Sequence, residues 1–137
     1  MTKKKLSWHK KKAWEALSKY IRLKYADKYG WCTCYTCGKR SHWKDGMQAG
    51  HLLDGRNNSI LFQEDCIRVQ CTGCNMFKSG NKEIYIPKYI DEEGREKYDK
   101  MVRLKNKTVK FTRKELDDMR ADWKAKAREL EDKKGVA

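Results

Sequence analysis

The first 30 residues carry an apolar stripe with the period of an α-helix. Four large apolar side chains recur at helical intervals along it: Trp14, Leu17, Ile21 and Tyr25. Ser7 is a suitable N-cap and Gly30 a suitable stop, so the pattern predicts one helix between them. Its apolar face must pack against the rest of the protein, which leaves its basic face free to meet phosphate groups.

Two short segments in the middle of the chain have the pattern of strands. One is MQAGHLLD at 47–54, and the other is CIRVQ at 66–70, which alternates and favours strand conformation. A short helix is predicted from Thr72 to about Ser79, with Gly80 as its stop. The order of strand, loop, strand and helix predicts a small α+β unit.

The C-terminal third has helical patterns throughout. Pro87 is expected to limit its first segment, and Asp91 can cap a helix that runs to Val102. Thr112 and Glu115 form a capping-box signature. The helix that follows carries apolar residues near heptad spacing: Leu116, Met119, Trp123, Ala127 and Leu130. Two interpretations stay open for this stripe, packing on its own domain or a helix-mediated dimer.

Composition limits the size of the core. Of the 137 residues 39% are apolar and 38% are charged, so the chain buries a thin core and needs a staple or a partner. It has no apolar run near 18 residues and no signal-peptide pattern at its start. These features predict a cytoplasmic protein, in which cysteines are more often metal ligands than disulfides.

Positive charge is concentrated at the N-terminal end. The net charge is +14, and residues 1–30 hold ten Lys or Arg against two acidic residues. Such asymmetry, with aromatic residues among the lysines, favours a polyanionic partner, most often nucleic acid. The alternative is a soluble basic surface with no specific partner.

Four cysteines form two CxxC pairs. Cys34 and Cys37 make the first pair and Cys71 and Cys74 the second, with 33 residues between the pairs. Two such knuckles predict tetrahedral coordination of one structural zinc ion by four thiolates. Four ordinary free cysteines are the alternative. The two remaining cysteines are weaker ligand candidates, and the second is expected to be buried on a strand: Cys32 and Cys66.

A histidine and an asparagine complete a recognisable layout. His51 lies on the first predicted strand, with 14 residues between it and Cys66 and 8 more between Cys66 and Asn75. This ββα spacing resembles an HNH nuclease motif, in which a strand histidine faces a metal ligand on the helix. The alternative is a structural histidine and an asparagine that only ends a knuckle turn.

The residue types suit phosphodiester hydrolysis. A neutral imidazole at His51 can take a proton from water as general base. The Asn75 side-chain oxygen can serve as a ligand of Mg²⁺ or Mn²⁺, the hard cations that stabilise charge on phosphate oxygens. Arg56 and Lys78 are the preferred partners for the phosphate, and Arg68 is also in range by sequence.

Several motifs together resemble the phage NinG/Rap recombination proteins. These motifs are CYTCG at 34–38, AGH at 49–51, FQE at 62–64 and QCTGCNMFKSGN at 70–81. The resemblance covers residues from about 7 to 105, and the last motif is its most specific part. It implies structure-specific cleavage of branched DNA, including Holliday junctions and D-loops. A more distant similarity to phage endonuclease VII implies a dimer joined through helices.

The chain departs from these families at three positions. Gln48 stands where the NinG/Rap family usually has Asp, and Cys66 where it usually has Asn. Gly50 stands where endonuclease VII has an acidic residue. The remaining ligand of the catalytic metal is therefore open among four residues: His51, Asp54, Glu64 and Asp65.

The sequence as a whole predicts an α+β fold with a small zinc-stapled ββα-metal core between N- and C-terminal helices. The predicted divisions are a basic helix at 1–30, a nuclease core at 31–82 and C-terminal helices at 83–137 that could mediate dimerisation. The predicted function is metal-dependent cleavage of branched DNA by a homodimer in the bacterial host cytoplasm. Alternatives are a zinc-stapled DNA-binding or accessory protein without catalysis, and a general HNH nicking nuclease.

Overall fold

Two long helices from opposite ends of the chain pack together in the computed structural model, which describes residues 3–136. Helix α1 spans Leu6–Tyr25 and helix α5 spans Arg113–Lys134. Thr112 and Glu115 form the predicted capping box at the start of α5, which confirms that boundary. Lys134 at its other end donates to the backbone carbonyls of the last turn of α1 and the residue after it. The end of α5 therefore caps the C-terminal end of α1.

The predicted boundaries of α1 were wrong at both ends. Its N-cap is Lys5, whose side chain makes no capping bond, and Ser7 lies inside the helix. The helix stops at Tyr25, before the predicted stop. Asp27 instead accepts backbone hydrogen bonds in a turn that leads to Gly30. Gly30 has φ +85°, and a Cβ there would lie 2.5 Å from a ring nitrogen of His42, so this position requires glycine.

The apolar stripe of α5 is used within its own chain. Leu116 and Ala127 are buried, and the ring of Trp123 packs 5.0 Å from that of Tyr20 on α1. An ion pair of 2.7 Å between Glu131 and a lysine of α1 flanks this contact. The stripe therefore packs on its own domain, which is the first of the two interpretations.

The strands form two small antiparallel pairs within residues 3–136. Strand β1 (Trp31–Thr33) pairs with β2 (Arg40–His42) around the first knuckle. Strand β3 (Met47–His51) pairs with β4 (Ile67–Cys71), with His51 opposite Ile67, so both predicted strands are present and the first ends before residue 54. The prediction of an α+β fold is confirmed by these pairs and the surrounding helices.

The segments around β4 are short. Helix α2 (Asn58–Leu61) and a 3₁₀ turn (Glu64–Cys66) connect β3 to β4. After β4 a single π-helical turn (Gly73–Phe77) replaces the helix predicted from Thr72 to Ser79. Ser79 and Asn81 adopt left-handed backbone conformations that interrupt the helix there. The ββα arrangement is thus present only as a strand pair followed by this turn, and the next helix begins at Lys82.

Helices α3 (Lys82–Glu93) and α4 (Arg95–Lys105) correct two further predictions. Pro87 lies inside α3 and does not limit it, and Asp91 belongs to the same helix and does not cap the next one. The break falls at Gly94, whose φ of +95° no other residue type adopts easily.

The core lies between α1, the β3–β4 pair and α3. Leu17 and Ile21 of α1 and two tyrosines of α3 are fully buried. The hydroxyl of Tyr85 donates to the Gly50 carbonyl at 2.9 Å, so α3 is tied to β3 at its middle. Within residues 3–136, no helix combines the length and the apolar character that crossing a membrane requires.

Candidate functional site: a cysteine cluster beside a basic cleft

The two CxxC pairs converge on one point. The four thiol sulfurs of Cys34, Cys37, Cys71 and Cys74 all lie within 4.8 Å of one another, and those of Cys37 and Cys71 are 3.7 Å apart. Four sulfurs at about 2.3 Å from a tetrahedral zinc ion are about 3.8 Å apart, so the cysteine cluster matches this geometry. These four residues could hold a structural metal such as zinc.

Local backbone geometry positions the cysteine cluster. The first knuckle is a turn closed by a bond from the Gly38 amide to the Cys34 carbonyl at 3.0 Å. In the second knuckle, the Cys74 amide donates to the Cys71 sulfur at 3.4 Å. Asn81 donates from its side chain to the Cys74 sulfur at 3.6 Å. Donors aimed at sulfur favour the thiolate form, which is the metal-binding form.

The remaining two cysteines are outside the cysteine cluster. Cys32 and Cys66 are both buried, and burial raises the pKa of their thiols to about 11 and about 12. Cys66 contacts the Met101 sulfur at 3.0 Å and ends the 3₁₀ turn just before β4, one residue outside the strand on which it was expected. Both behave as small core residues.

A cleft of about 260 Å³ opens next to the second knuckle. It brings together three of the predicted catalytic residues, His51, Asn75 and Arg56. The other residues that line the cleft are Ala49, Leu53, Asp54, Gly55, Ser79, Gly80 and Lys82. Its walls therefore come from β3, the following loop, the π-helical turn and the start of α3.

His51 is held in one orientation at the end of β3. Its ring stacks on Trp14 of α1 with centroids 4.9 Å apart, and Nε2 lies 3.1 Å from the Leu61 carbonyl oxygen. Because a carbonyl only accepts, Nε2 carries the hydrogen and the lone pair is on Nδ1. The pKa of His51 is lowered to about 4, chiefly by burial and also by the charges of Arg56 and Lys82, against the opposing effect of the bond to Leu61. The imidazole is therefore neutral at pH 7.

Asn75 is oriented by Gln48, a position at which the chain departs from the family that it resembles. Its side-chain amide donates to Gln48 Oε1 at 2.8 Å. This leaves Asn75 Oδ1 without a hydrogen bond from the part of the chain that the structure describes. A Cβ on Gly50 would lie 3.1 Å from this oxygen and would clash with the side chain of Gln70. Glycine at this position therefore keeps the strand close to Asn75.

Two cationic side chains lie in the cleft, and only one was predicted. The Arg56 guanidinium lies 4.9 Å from the centre of the Trp14 ring. Lys82 lies 3.7 Å from Asp54 and donates to the His51 carbonyl, and burial lowers its pKa. Lys78 is exposed and does not line the cleft. Lys82 thus occupies the place in the cleft that was predicted for Lys78. In the sequence, only the presence of a second lysine shortly after Lys78 indicated this.

Of the predicted acidic ligands, only Asp54 reaches the cleft. Glu64 pairs with Lys24 of α1 at 2.7 Å, and Asp65 faces Lys97 of α4 at 3.6 Å. The 3₁₀ turn that carries both residues directs them to these helices, so the structure does not bring Glu64 or Asp65 to His51.

Arg68, the third cation in range by sequence, is also absent from the cleft. It is buried and paired with Glu93 at 3.1 Å. Its guanidinium lies over the rings of Tyr35 and Tyr89. This arrangement makes Arg68 part of the contact between β4 and α3.

The chain matches a protein family over nearly its whole length. The family described as Bacteriophage Lambda NinG protein matches residues 1–133. No match was found among curated proteins or among solved structures. A family match over nearly the whole chain suggests a role related to phage recombination. The chain belongs to the NinG family of bacteriophage proteins.

Proposed function

We propose that this protein is a metal-dependent endonuclease that cleaves branched DNA, such as Holliday junctions and D-loops, in the host cytoplasm. The observation that carries the proposal is the neutral His51 in a basic cleft that is also lined by Asn75, whose Oδ1 accepts no hydrogen bond from residues 3–136. Family membership supports the connection with recombination. The preference for branched substrates rests on the resemblance of the sequence motifs to proteins that cut junctions.

His51 is the proposed general base. Its Nδ1 would accept the proton of the attacking water. The bond from Nε2 to the Leu61 carbonyl would stabilise the imidazolium that forms. Its low pKa keeps the base neutral before the reaction, and stacking on Trp14 holds the ring in place. The residue is thus neutral, as a general base must be before the step, and its ring is held in one orientation.

The cleft fits a hard divalent cation. Asp54 and Asn75 offer a carboxylate and an amide oxygen, and Mg²⁺ commonly takes one or two such protein ligands and fills its shell with water and phosphate. When bound, Mg²⁺ or Mn²⁺ would stabilise the negative charge on the phosphate and on the leaving 3′ oxygen. Gln48 orients Asn75 for this role by accepting its amide hydrogen.

Positive charge in the cleft supports phosphate binding. Lys82 and Arg56 would lie beside the scissile phosphate and favour its extra charge in the transition state. Because Lys82 is half-buried, its interaction with a phosphate is screened less than that of a surface lysine. Lys78, on the exposed turn, would contact a DNA phosphate further from the cleavage point on the same DNA strand.

A second basic surface supports DNA as the partner. A groove between α1 and α5 is lined by Trp8 and by three cationic residues one helical turn apart on α5: Arg120, Lys124 and Arg128. Lys4 and Lys12 also lie within 6 Å of the Trp8 ring centre. This groove could hold a DNA arm that extends from the cleft. A homodimer would supply the two symmetric cuts that a four-way junction requires.

The second candidate function is DNA binding without catalysis. The presence of a single carboxylate in the cleft favours it, because a weak cation site would leave only the basic surfaces and the cysteine cluster. Such a protein would bind DNA with a steep dependence on salt. A general nicking nuclease, the third possibility, would cut linear duplex as readily as a junction.

The deciding experiment is cleavage of a labelled four-way junction next to linear duplex of the same sequence. The reactions contain Mg²⁺, Mn²⁺ or EDTA and use the unaltered protein and the variant His51→Ala. Paired cuts near the branch that disappear with EDTA and in the variant are expected. Tight binding without cutting in either metal would contradict catalysis, and equal cutting of duplex would contradict the junction preference.

A further inference from the structure

The π-helical turn beside the cleft presents an exposed apolar tip, formed by Met76 and Phe77. Phe77 is 83% exposed and Met76 is 61% exposed. No other large apolar residue in the described chain is as exposed as Phe77. Met76 and Phe77 are neighbours, so together they form a small apolar patch, and contiguous exposed apolar patches are often binding sites.

The turn that carries the tip is firmly held. Cys74 belongs to the cysteine cluster, and its carbonyl accepts a bond from the Gly80 amide at 2.8 Å. The Lys78 amide closes the turn on the Gly73 carbonyl at 3.0 Å. The Met76 sulfur accepts from Gln48 at 3.5 Å, which links the tip to the residue that orients Asn75. Phe77 is therefore exposed on a rigid support, as a residue that recognises a ligand should be.

The tip is continuous with the cleft and lies on a positively charged segment. Asn75 and Ser79, two residues to either side of Phe77, both line the cleft. Two residues span at most about 7 Å, which corresponds to about two nucleotide steps along a DNA strand. Residues 70–82 contain two lysines and no acidic residue. A ligand that places its phosphate in the cleft thus has its neighbouring bases next to Phe77.

We infer that Phe77 is a specificity-determining residue that stacks on an unstacked nucleobase at the branch point of a DNA junction. The inference rests on the proposed function and assigns branch recognition to this side chain. In continuous duplex every base face is covered, and opening a step costs free energy. At a branch the stack is already interrupted, so an aromatic ring gains a contact there that duplex does not offer.

The test measures binding in EDTA, so that it does not depend on cleavage. The probes are a four-way junction with 2-aminopurine next to the branch and linear duplex with the same label. Phe77→Ala should weaken junction binding about tenfold, as loss of one base–aromatic stack does, with little change for duplex. Phe77→Trp should retain the preference. Tyr29→Ala is the matched control, because Tyr29 is an aromatic residue that is 68% exposed away from the cleft.

The 2-aminopurine signal separates stacking from other roles of the tip. The unaltered protein should change the fluorescence of the branch label, and Phe77→Ala should remove that change. An unchanged ratio of junction to duplex affinity in Phe77→Ala would overturn the inference. The inference would also fail if Phe77→Ala changed the protein from dimer to monomer in sedimentation but kept that ratio, because Phe77 would then act in dimerisation. If the protein stacks on the branch but cuts no DNA, the nuclease proposal fails and the role of Phe77 stands.

Discussion

The cysteine cluster and the cleft meet at adjacent residues, Cys74 and Asn75, but they are assembled in different ways. The cysteine cluster takes its four sulfurs from two short turns whose geometry is local. The cleft takes its residues from β3, a loop, the π-helical turn and α3. The ring of its histidine stacks on Trp14 of α1. Spacing along the chain therefore predicts the first region well, whereas the second depends on how distant elements pack.

The largest expected effect is on the cysteine cluster. Cys71→Ser should remove most of the affinity for zinc and unfold the domain, because a structural zinc site contributes on the order of 10 kcal/mol to folding. Metal analysis should find one zinc ion per chain in the unaltered protein and far less in the variant, with loss of helical circular dichroism. Cys32→Ser is the control and should keep both metal and fold, since Cys32 lies outside the cysteine cluster. A folded, metal-free Cys71→Ser protein would refute the structural role.

In the cleft, the largest effect should come from His51. His51→Ala should lower the cleavage rate about 10²–10⁴-fold, as loss of a general base does, while the protein keeps its zinc. Because alanine also leaves a space against Trp14, His51→Gln serves as a second variant that fills the site but cannot accept the proton at neutral pH. Junction cleavage and metal content are measured for both. Near-normal cleavage by His51→Gln would exclude His51 as the base.

The low pKa of His51 also predicts a dependence of stability on pH. In the folded protein the pKa of His51 is about 4, below the ordinary value of 6.5. Between pH 4 and pH 6.5 the unfolded chain therefore binds more protons than the folded chain. The contribution of the neutral histidine is fully present above pH 6.5 and is lost as the pH falls towards 4, by about 3 kcal/mol. Urea unfolding of the unaltered protein and of His51→Gln from pH 7 to pH 4 measures the difference. If the free energy of unfolding falls equally with pH in both proteins, the pKa of His51 is the same in the folded and the unfolded chain.

The two lysines after the second knuckle offer a charge-matched comparison. Lys82→Met should reduce cleavage about a hundredfold, because it removes a partly buried cation from the cleft. Lys78→Met removes the same charge from the exposed turn and should have a much smaller effect. Lys82→Arg controls for the charge. Single-turnover rates are measured at saturating metal, and equal losses in the two methionine variants would show that only overall charge matters.

The smallest effect is expected at Gln48. Gln48→Leu removes the acceptor that orients Asn75 and should raise the Mg²⁺ concentration for half-maximal cleavage about tenfold. Gln48→Glu keeps an acceptor oxygen and should stay close to the unaltered protein. A metal titration of the cleavage rate distinguishes the two. If Gln48→Leu titrates like the unaltered protein, Asn75 is oriented by other contacts.

The features predicted correctly are those set by neighbouring residues. Strand β4 follows from alternation, and the start of α5 follows from Thr112 and Glu115. The wrong boundaries had longer-range causes. Helix α1 ends where Asp27 organises the next turn, and α3 continues past Pro87 to the positive φ of Gly94.

The sequence by itself determined the convergence of the four cysteines, because two CxxC turns have little freedom once β1 and β4 are in place. It also placed His51 on the correct strand and Asn75 directly after the second knuckle, and both residues line one cleft. Tertiary structure alone decided which charged residues join them. Lys82 enters the cleft because α3 packs across β3, whereas Glu64 and Asp65 are drawn to lysines of α1 and α4. Ion pairs and helix packing join residues that are far apart in the sequence, so a local sequence pattern does not predict them.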